Sequence, residues 1–287
     1  MTIGDLVQLS RPRHWVKNVF VLMPVPFALA AGAVLEPRSF ALGLLGFCLA
    51  GSGVYAFNDA RDAERDRLHP DKQDRPVASG RVPLALAYGW FGLLVAASLA
   101  LTAASGHVEA VVATTAYVAL NVVYSLGAKN VPLLDVFLLA SYYLIRVTLG
   151  CVLLGVVPSN WLLLCTAGLA LFLSLAKRRA DLVKGLDGDH RPALAGYSEG
   201  FLDQAMGIMA GMTLIAYALY CLEAEVLLPG REFAALPLVV FVVLEYLRLV
   251  HVRDAGGSPV DLVLRSPVML GCAMGWLVAV GWSIGWF

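Results

Sequence analysis

The chain has 287 residues, of which 59% are hydrophobic and 15% charged, with a mean hydropathy of +0.75. That composition belongs to a polytopic membrane protein and excludes an ordinary soluble core. Its 21 basic and 21 acidic residues cancel, so no global field exists to recruit nucleic acid or an acidic partner, and specificity must be local.

The N-terminal stretch MTIGDLVQLSRPRHWVKN does not read as a signal peptide. Charge and prolines precede the apolar run, and no small-residue cleavage site follows a short apolar core. Trp15 beside Arg11, Arg13 and Lys17 suggests an interfacial helix able to meet a lipid headgroup. Runs of about 20 apolar residues then predict nine spans, centred near Met23, Leu49, Val95, Tyr117, Ser141, Leu169, Ile215, Val240 and Trp276. Pro24 and Pro26 interrupt the first. Lipid-exposed backbone must satisfy its own hydrogen bonds and the segments lack strand alternation. The expected fold is therefore an all-α integral membrane protein, nine transmembrane helices in one bundle and one domain over residues 1–287, with a polar pocket facing the cytosol.

The second span runs directly into NDARDAERD at 58–66. If its helix continues through residue 66, Asp59, Asp62 and Asp66 recur at i, i+3 and i+7 and share one face with Asn58. Three carboxylates repel one another unless a cation lies between them, and oxygen-only ligands select a hard ion such as Mg2+, which also favours substrate phosphates. A solvated helix end, its acids paired with Arg61 and Arg65, fits the spacing equally well. In the next loop, RLHPDKQDRPVASGRVP, prolines at 70, 76 and 83 with Gly80 stiffen the chain. Arg67, Lys72, Arg75 and Arg81 there offer donors to phosphate.

Further along, Lys129 ends the fourth span, and Asp135 and Arg146 lie within the fifth. Eleven residues apart, these two stand about 16 Å apart along a helix and cannot pair with each other. Ionisable groups inside a bundle are costly enough to suggest function, with ion pairs to other helices as the structural alternative. After the sixth span comes KRRADLVKGLD at 177–187, where Lys177, Arg178 and Arg179 can be a topology anchor or a phosphate site. Gly207 with Gly211, Gly271 with Gly275 and Gly281 with Gly285 have the spacing of close helix packing. Cys48, Cys151, Cys165, Cys221 and Cys272 are scattered singly and read as buried thiols. Of the histidines only His69 falls in a motif; His14, His107, His190 and His251 sit at span ends or in loops.

Eighteen of the 21 basic residues fall on the N-terminal side of the membrane if the spans alternate, and two, Arg38 and Arg231, on the other. The positive-inside rule then places the N-terminus in the cytosol and the C-terminus outside a bacterial-type plasma membrane. Both long polar loops, 58–83 and 177–204, face the cytosol in that arrangement.

Asn58, Asp59, Asp62 and Asp66, followed by His69, Pro70, Lys72, Arg75, Pro76, Ala78 and Gly80, resemble the first signature of the UbiA-type intramembrane prenyltransferase superfamily. Within it, RPRHWVKN at 11–18, YSLGAKNVPLLDV at 124–136 with Arg146 after it, LAKRRADL at 175–182 and EYLRLV at 245–250 are similar to the decaprenyl-phosphate phosphoribosyltransferase subgroup. The second DxxxD motif typical of prenyl-diphosphate enzymes is missing, because no aspartate stands four residues from Asp181. That subgroup more commonly has glutamate where this chain has Asp181.

The resemblance implies Mg2+-dependent transfer of a phosphoribosyl group from phosphoribosyl pyrophosphate to a polyprenyl phosphate in the lipid bilayer, releasing pyrophosphate. Asp59, Asp62 and Asp66 would hold the metal, and with Lys177 form the catalytic set. Lys17, Asn58, Lys72, Arg75, Tyr124, Lys129, Asp135, Arg146, Arg178 and Asp181 would bind substrates. Among these, Lys129 falls to phosphate, Asp135 to a ribose hydroxyl or a magnesium water, and Arg146 to the acceptor phosphate. An aromatic prenyltransferase using the same acidic motif is the rival enzyme, and a transporter lined by Asp135 and Arg146 the rival of another class. The sequence does not disclose an oligomeric state.

Cysteine-accessibility labelling tests the orientation. Positions near Lys72 and Gly188 are expected in the cytosol, and Ser39, Gly106 and Phe287 outside; finding the first two on opposite faces overturns the shared cytosolic side.

Overall fold

Backbone in lipid has to be hydrogen-bonded within itself, and the regular structure formed by the described residues is helical. The structure, a computed structural model, describes residues 2–68, 70, 72–185, 192–253, 256–257, 262 and 265–287; His69, Asp187, Gly188 and His190 lie outside them. In chain order the helices are α1 (Ile3–Ser10), α2 (Val19–Leu22), α3 (Val25–Ala30), α4 (Pro37–Leu68), α5 (Leu84–Ala104) and α6 (Val108–Leu126). They are followed by α7 (Leu134–Leu153), α8 (Asn160–Val183), α9 (Glu199–Glu223), α10 (Leu236–Arg253) and α11 (Pro267–Ser283).

Among the described residues six helices, α4 to α9, are long and apolar enough to cross a membrane. The expected eighth and ninth spans are present as the shorter α10 and α11, of 18 and 17 residues. The first is broken into a 3-10 segment, Pro12–Asn18, and the short α2 and α3. Pro24 and Pro26 explain the break, since proline offers no backbone N–H and is tolerated only near a helix start. Outward apolar side chains such as Leu93, Val112, Ile215 and Leu277 are exposed, as lipid-facing positions should be.

The chain divides into two compact units, Met1–Val25 with Ala33–Lys129 and Ile145–Val157, and Pro26–Gly32 with Asn130–Leu144 and Pro158–Phe287. In the first, α4 packs against α5 and α6, with α1 beside it. Small residues permit the close approach of α4 and α5. A Cβ at Gly46 would meet Ser98 O at 2.9 Å, and one at Gly53 would meet Val95 Cγ2 at 3.2 Å. Thr2 and Asp5 form a reciprocal cap that starts α1. Leu9 from α1 joins Ala56, Ala60, Ala63, Val77, Val82 and Ala87 in one buried cluster, so the loop after α4 lies down on that helix. Arg67 Nε donates to Ala78 O at 2.9 Å and Val82 N to Pro76 O at 2.9 Å. Arg81 Nη1 donates to Asp5 Oδ1 at 2.9 Å, which ties the loop to α1. The broken N-terminal segment is seated as tightly: a Cβ at Gly150 would meet Val21 O at 2.1 Å.

In the second unit α8 packs on α9, and α10 on α9 and α11. Ser159, Ser198 and Ser266 cap α8, α9 and α11 through Leu162 N, Phe201 N and Met269 N. Phe172, Leu175, Leu202, Met206 and Tyr246 are buried in its main core. The close helix contact uses Gly168, whose Cβ would meet Thr213 Oγ1 at 2.6 Å. The expectation placed on the spaced glycine pairs holds in part: a Cβ at Gly275 would meet Leu238 Cδ1 at 3.3 Å and one at Gly285 would meet Leu228 Cδ1 at 3.1 Å, whereas nothing among the described residues lies within 4 Å of a Cβ at Gly207, Gly211 or Gly271. The spacing of Gly207 and Gly211 is helical, but no described neighbour packs on them. The cysteines carry no disulfide; Cys48, Cys151 and Cys221 are buried, while Cys165 and Cys272 are only half-buried.

Gly150→Ala is expected to lower stability by about 1–3 kcal/mol, because backbone stands where the methyl would go. Gly211→Ala should be neutral or stabilising by up to about 1 kcal/mol through helix propensity. Thermal unfolding of the two variants in detergent checks the contrast.

Candidate active site

Helix α4 continues without a break to Leu68, so the acidic segment is helical and Asp59, Asp62 and Asp66 do project from one helix. Asp59 is 1% exposed and Asp66 4%, which removes the solvated helix end as an account of them. None of the three pairs with the neighbouring Arg61 or Arg65. Arg11 Nη2 donates to Asp59 Oδ1. Arg75 Nη1 lies 3.3 Å from Asp59 Oδ1 and 2.6 Å from Asp66 Oδ2, and Lys129 Nζ donates to Asp62 Oδ1. Asn58 Oδ1 accepts from Ser125 Oγ at 3.1 Å. The turn that brings Arg75 inward is held by Arg75 N to Lys72 O at 3.0 Å and Ser79 N to Arg75 O at 2.9 Å, with Gly80 at φ 77° completing it. Lys72 and Tyr124, also in this unit, are half-buried.

The same unit holds a second constellation of the predicted residues. Arg146 Nε donates to Asn18 Oδ1 at 2.9 Å and Nη2 to Tyr117 Oη at 3.3 Å. Its guanidinium also lies over the Phe47 and Tyr117 rings, 5.5 and 5.1 Å from their centroids. Lys17 Nζ is 3.5 Å from Tyr55 Oη. The sequence marked Arg146 and Lys17 but not the aromatic rings around them, which are indistinguishable by pattern from core residues.

In the second unit, Asp135 and Arg178 are both fully buried and bonded, Arg178 Nε to Asp135 Oδ2 at 2.6 Å. Arg178 Nη1 reaches Asp181 Oδ2 at 3.0 Å. Tyr197 Oη donates to the other Asp135 oxygen at 2.6 Å and accepts from Leu133 N at 2.6 Å. Burial raises the Tyr197 pKa, and its hydrogen bond to Asp135 raises it further, so the phenol stays protonated and acts as donor. Asp135 and Arg178 have no exposed surface and are engaged with each other. Asp181 is 17% exposed, and Lys177, one position before Arg178, is exposed. Arg179 is buried against Asp203 at 2.6 Å, with His251 Nε2 3.1 Å from the same carboxylate. Lys177, Arg178 and Arg179 therefore do not act alike as a topology anchor.

No three acids, histidines or cysteines among the described residues are gathered closely enough to hold a metal together. Asp59 and Asp66 converge, while Asp62 engages Lys129. The donor set nonetheless fits a divalent cation at the Asp59–Asp66 pair. Asp59 Oδ2 is buried without a hydrogen-bond partner, and Arg75 already places positive charge between the two carboxylates. Arg75→Ala is expected to destabilise the protein by about 1–3 kcal/mol, the cost of leaving buried acceptors without their donor. Millimolar MgCl2 should then raise the melting temperature of this variant more than that of the unaltered chain; an equal shift removes the cation fit.

Residues 18–259 match the UbiA prenyltransferase family. The chain is 31% identical over 285 residues to a decaprenyl-phosphate phosphoribosyltransferase of Corynebacterium glutamicum, covering 96% of this chain and 85% of the relative. It is 32% identical over 296 residues to a protein of the same name from Mycobacterium tuberculosis, covering 98% and 95%. In fold it is similar to a UbiA homologue from Archaeoglobus fulgidus bound to DMAPP and Mg2+, with a TM-score of 0.75, 20% identity and 98% of both chains covered. The match extends from the end of the N-terminal basic segment to beyond α10, and on that ground the chain belongs to the UbiA prenyltransferase family.

Proposed function

We propose that the protein transfers a 5-phosphoribosyl group from phosphoribosyl pyrophosphate to a polyprenyl phosphate and releases pyrophosphate. The observation that carries this is the likeness, at 31–32% identity over 96–98% of the chain, to decaprenyl-phosphate phosphoribosyltransferases. The missing second acidic motif supports it, with Lys177, Arg178 and a lone Asp181 in its place.

The chemistry needs little proton handling. An oxygen of the lipid phosphate, already an anion, attacks ribose C1; the bond from C1 to pyrophosphate breaks, and pyrophosphate leaves with the electron pair. No strong general base is required. Mg2+ bound by Asp59 and Asp66, with Asp62 beside them on the helix, would neutralise charge that develops on the leaving pyrophosphate. Arg75 and Lys72 bind the pyrophosphate oxygens, and Lys129, held by Asp62, adds positive charge there. Lys17 and Arg146 receive the acceptor phosphate, and Asp181 the ribose hydroxyls. The basic-residue bias supports a cytosolic active face, which suits a charged donor from the cytosol and an acceptor from the bilayer.

Purified protein with Mg2+, a long-chain polyprenyl phosphate and phosphoribosyl pyrophosphate should make a lipid-linked phosphoribose, and should not prenylate 4-hydroxybenzoate from a prenyl diphosphate. Asp62→Asn should abolish turnover in a folded protein, and EDTA should do so reversibly. Because Lys177 is exposed, Lys177→Ala should cost only about 1 kcal/mol or less. Prenylation of the aromatic acid with phosphoribosyl pyrophosphate ignored would overturn the donor assignment and leave the family intact.

A further inference from the structure

The turn between α8 and α9 seats a tyrosine that the reaction described above does not use. Ala193 and Leu194 are buried just before it, so this short segment is anchored in the second unit. Gly196 makes the seating sterically feasible, since a Cβ there would meet Pro132 Cγ at 2.3 Å. With glycine in place, Tyr197 Oη accepts the Leu133 N–H and donates to Asp135 Oδ1, each at 2.6 Å. A phenol has one proton and can accept as well, so the two bonds are compatible. Leu133 has φ 65°, a left-handed conformation that L residues avoid. The hydroxyl therefore grips both the strained turn before α7 and the first acid of that helix.

From Asp135 the connection continues through Arg178 Nε at 2.6 Å, and from Arg178 Nη1 to Asp181 Oδ2 at 3.0 Å. A guanidinium is a rigid plane, so fixing its Nε edge also fixes where Nη1 points. Asp135 and Arg178 have no exposed surface, and Asp181 does; of the three, Asp181 is the one with surface for a ligand to meet.

We propose that Tyr197 is a positioning residue, which through Asp135 and Arg178 fixes the direction in which Asp181 presents its carboxylate to the ribose hydroxyls of the donor. This rests on the phosphoribosyl reading given above. Hydrogen bonds from a diol to a carboxylate weaken steeply off axis, and a donor turned away from its line of attack reacts slowly. Without the phenol, Asp135 loses one of its two hydrogen bonds, and the Nε edge of Arg178 is held by a less firmly placed carboxylate. A purely structural alternative is that the hydroxyl only holds the Leu133 turn. Leu133→Gly separates the two, because glycine takes positive φ readily and frees the turn from its need of Tyr197.

The experiment uses the full chain in lipid nanodiscs with Mg2+, phosphoribosyl pyrophosphate and polyprenyl phosphate. It compares Tyr197→Phe, Asp181→Asn, their double variant, and Tyr197→Phe combined with Leu133→Gly. Tyr197→Phe should lower kcat about tenfold, the size expected for one displaced buried hydrogen bond, with KM for the lipid phosphate unchanged. In the Asp181→Asn background the same substitution should change kcat by less than about twofold, because the two changes act through one carboxylate. Leu133→Gly should return the melting temperature lost in Tyr197→Phe, but not the turnover. If Tyr197→Phe folds poorly, the Leu133→Gly background supplies the comparison. An unchanged kcat, an equal loss in both Asp181 backgrounds, or turnover restored by Leu133→Gly overturns the relay. The phosphoribosyl reading is judged separately, on which donor the unaltered chain consumes. The cycle is run with that donor, and an additive result overturns the relay whichever donor it is.

Discussion

Charge buried among apolar helices is tolerable only where another part of the chain brings a partner to it, and much of this protein's local structure follows from that requirement. Asp59 and Asp66 are buried on α4, and the loop after α4 turns back so that Arg75 can reach both. The 3-10 segment that ends at Asn18 sets its amide against Arg146. Arg178 is fully buried on α8 and engages Asp135 on α7 and Asp181 one turn along its own helix. Well-packed apolar residues of similar volume are often at least as stable as such pairs. Their presence agrees with the ligand-binding roles proposed for them.

That constraint also separates the legible from the illegible in the sequence. The continuous helix through residue 66 could be read, because acids at i, i+3 and i+7 make sense only on a helical face. The spans from α4 to α9 could be read from apolar length alone, and the break near Met23 from its two prolines. The partners of the acids could not. Arg61 and Arg65 are adjacent in sequence, yet the contacts come from Arg11, 48 residues from Asp59, and from Lys129, 67 residues from Asp62. Tertiary folding of the N-terminal segment and the loop chose them. Glycine spacing misled at Gly207, Gly211 and Gly271 for a related reason: periodicity reports a helical face but not whether another helix lies against it. Tyr197 gave no signal, since a single tyrosine before a capping serine has no pattern to betray a buried hydrogen bond.

The two acidic groups differ in exposure, and the difference fits the division of labour proposed for them. On α4, Asp59, Asp62 and Asp66 are met by Arg11, Arg75 and Lys129, a neutral set. In the second unit Asp135 and Asp181 both engage Arg178, and of the three only Asp181 has exposed surface. A carboxylate suits neutral hydroxyls such as those of ribose, which donate hydrogen bonds to it. It does not suit a bare phosphate. The neutral set suits a polyanion only if its cations can be turned toward the ligand.

Arg75 shows what that turning entails. Its Nη1 serves two carboxylates, and the same nitrogen cannot also serve phosphate at hydrogen-bond distance. On the proposed function, a divalent ion held by Asp59 and Asp66 and a pyrophosphate on Arg75 would be coupled through that nitrogen. The ion would take over the charge that Arg75 now supplies to the carboxylates, and Nη1 would then be available to the anion. By linkage, each ligand would strengthen the other by the same factor. Asp59 Oδ2, buried and without a partner, would bias the exchange toward the ion, because a bound cation would supply a partner for the carboxylate oxygen that Arg75 does not satisfy.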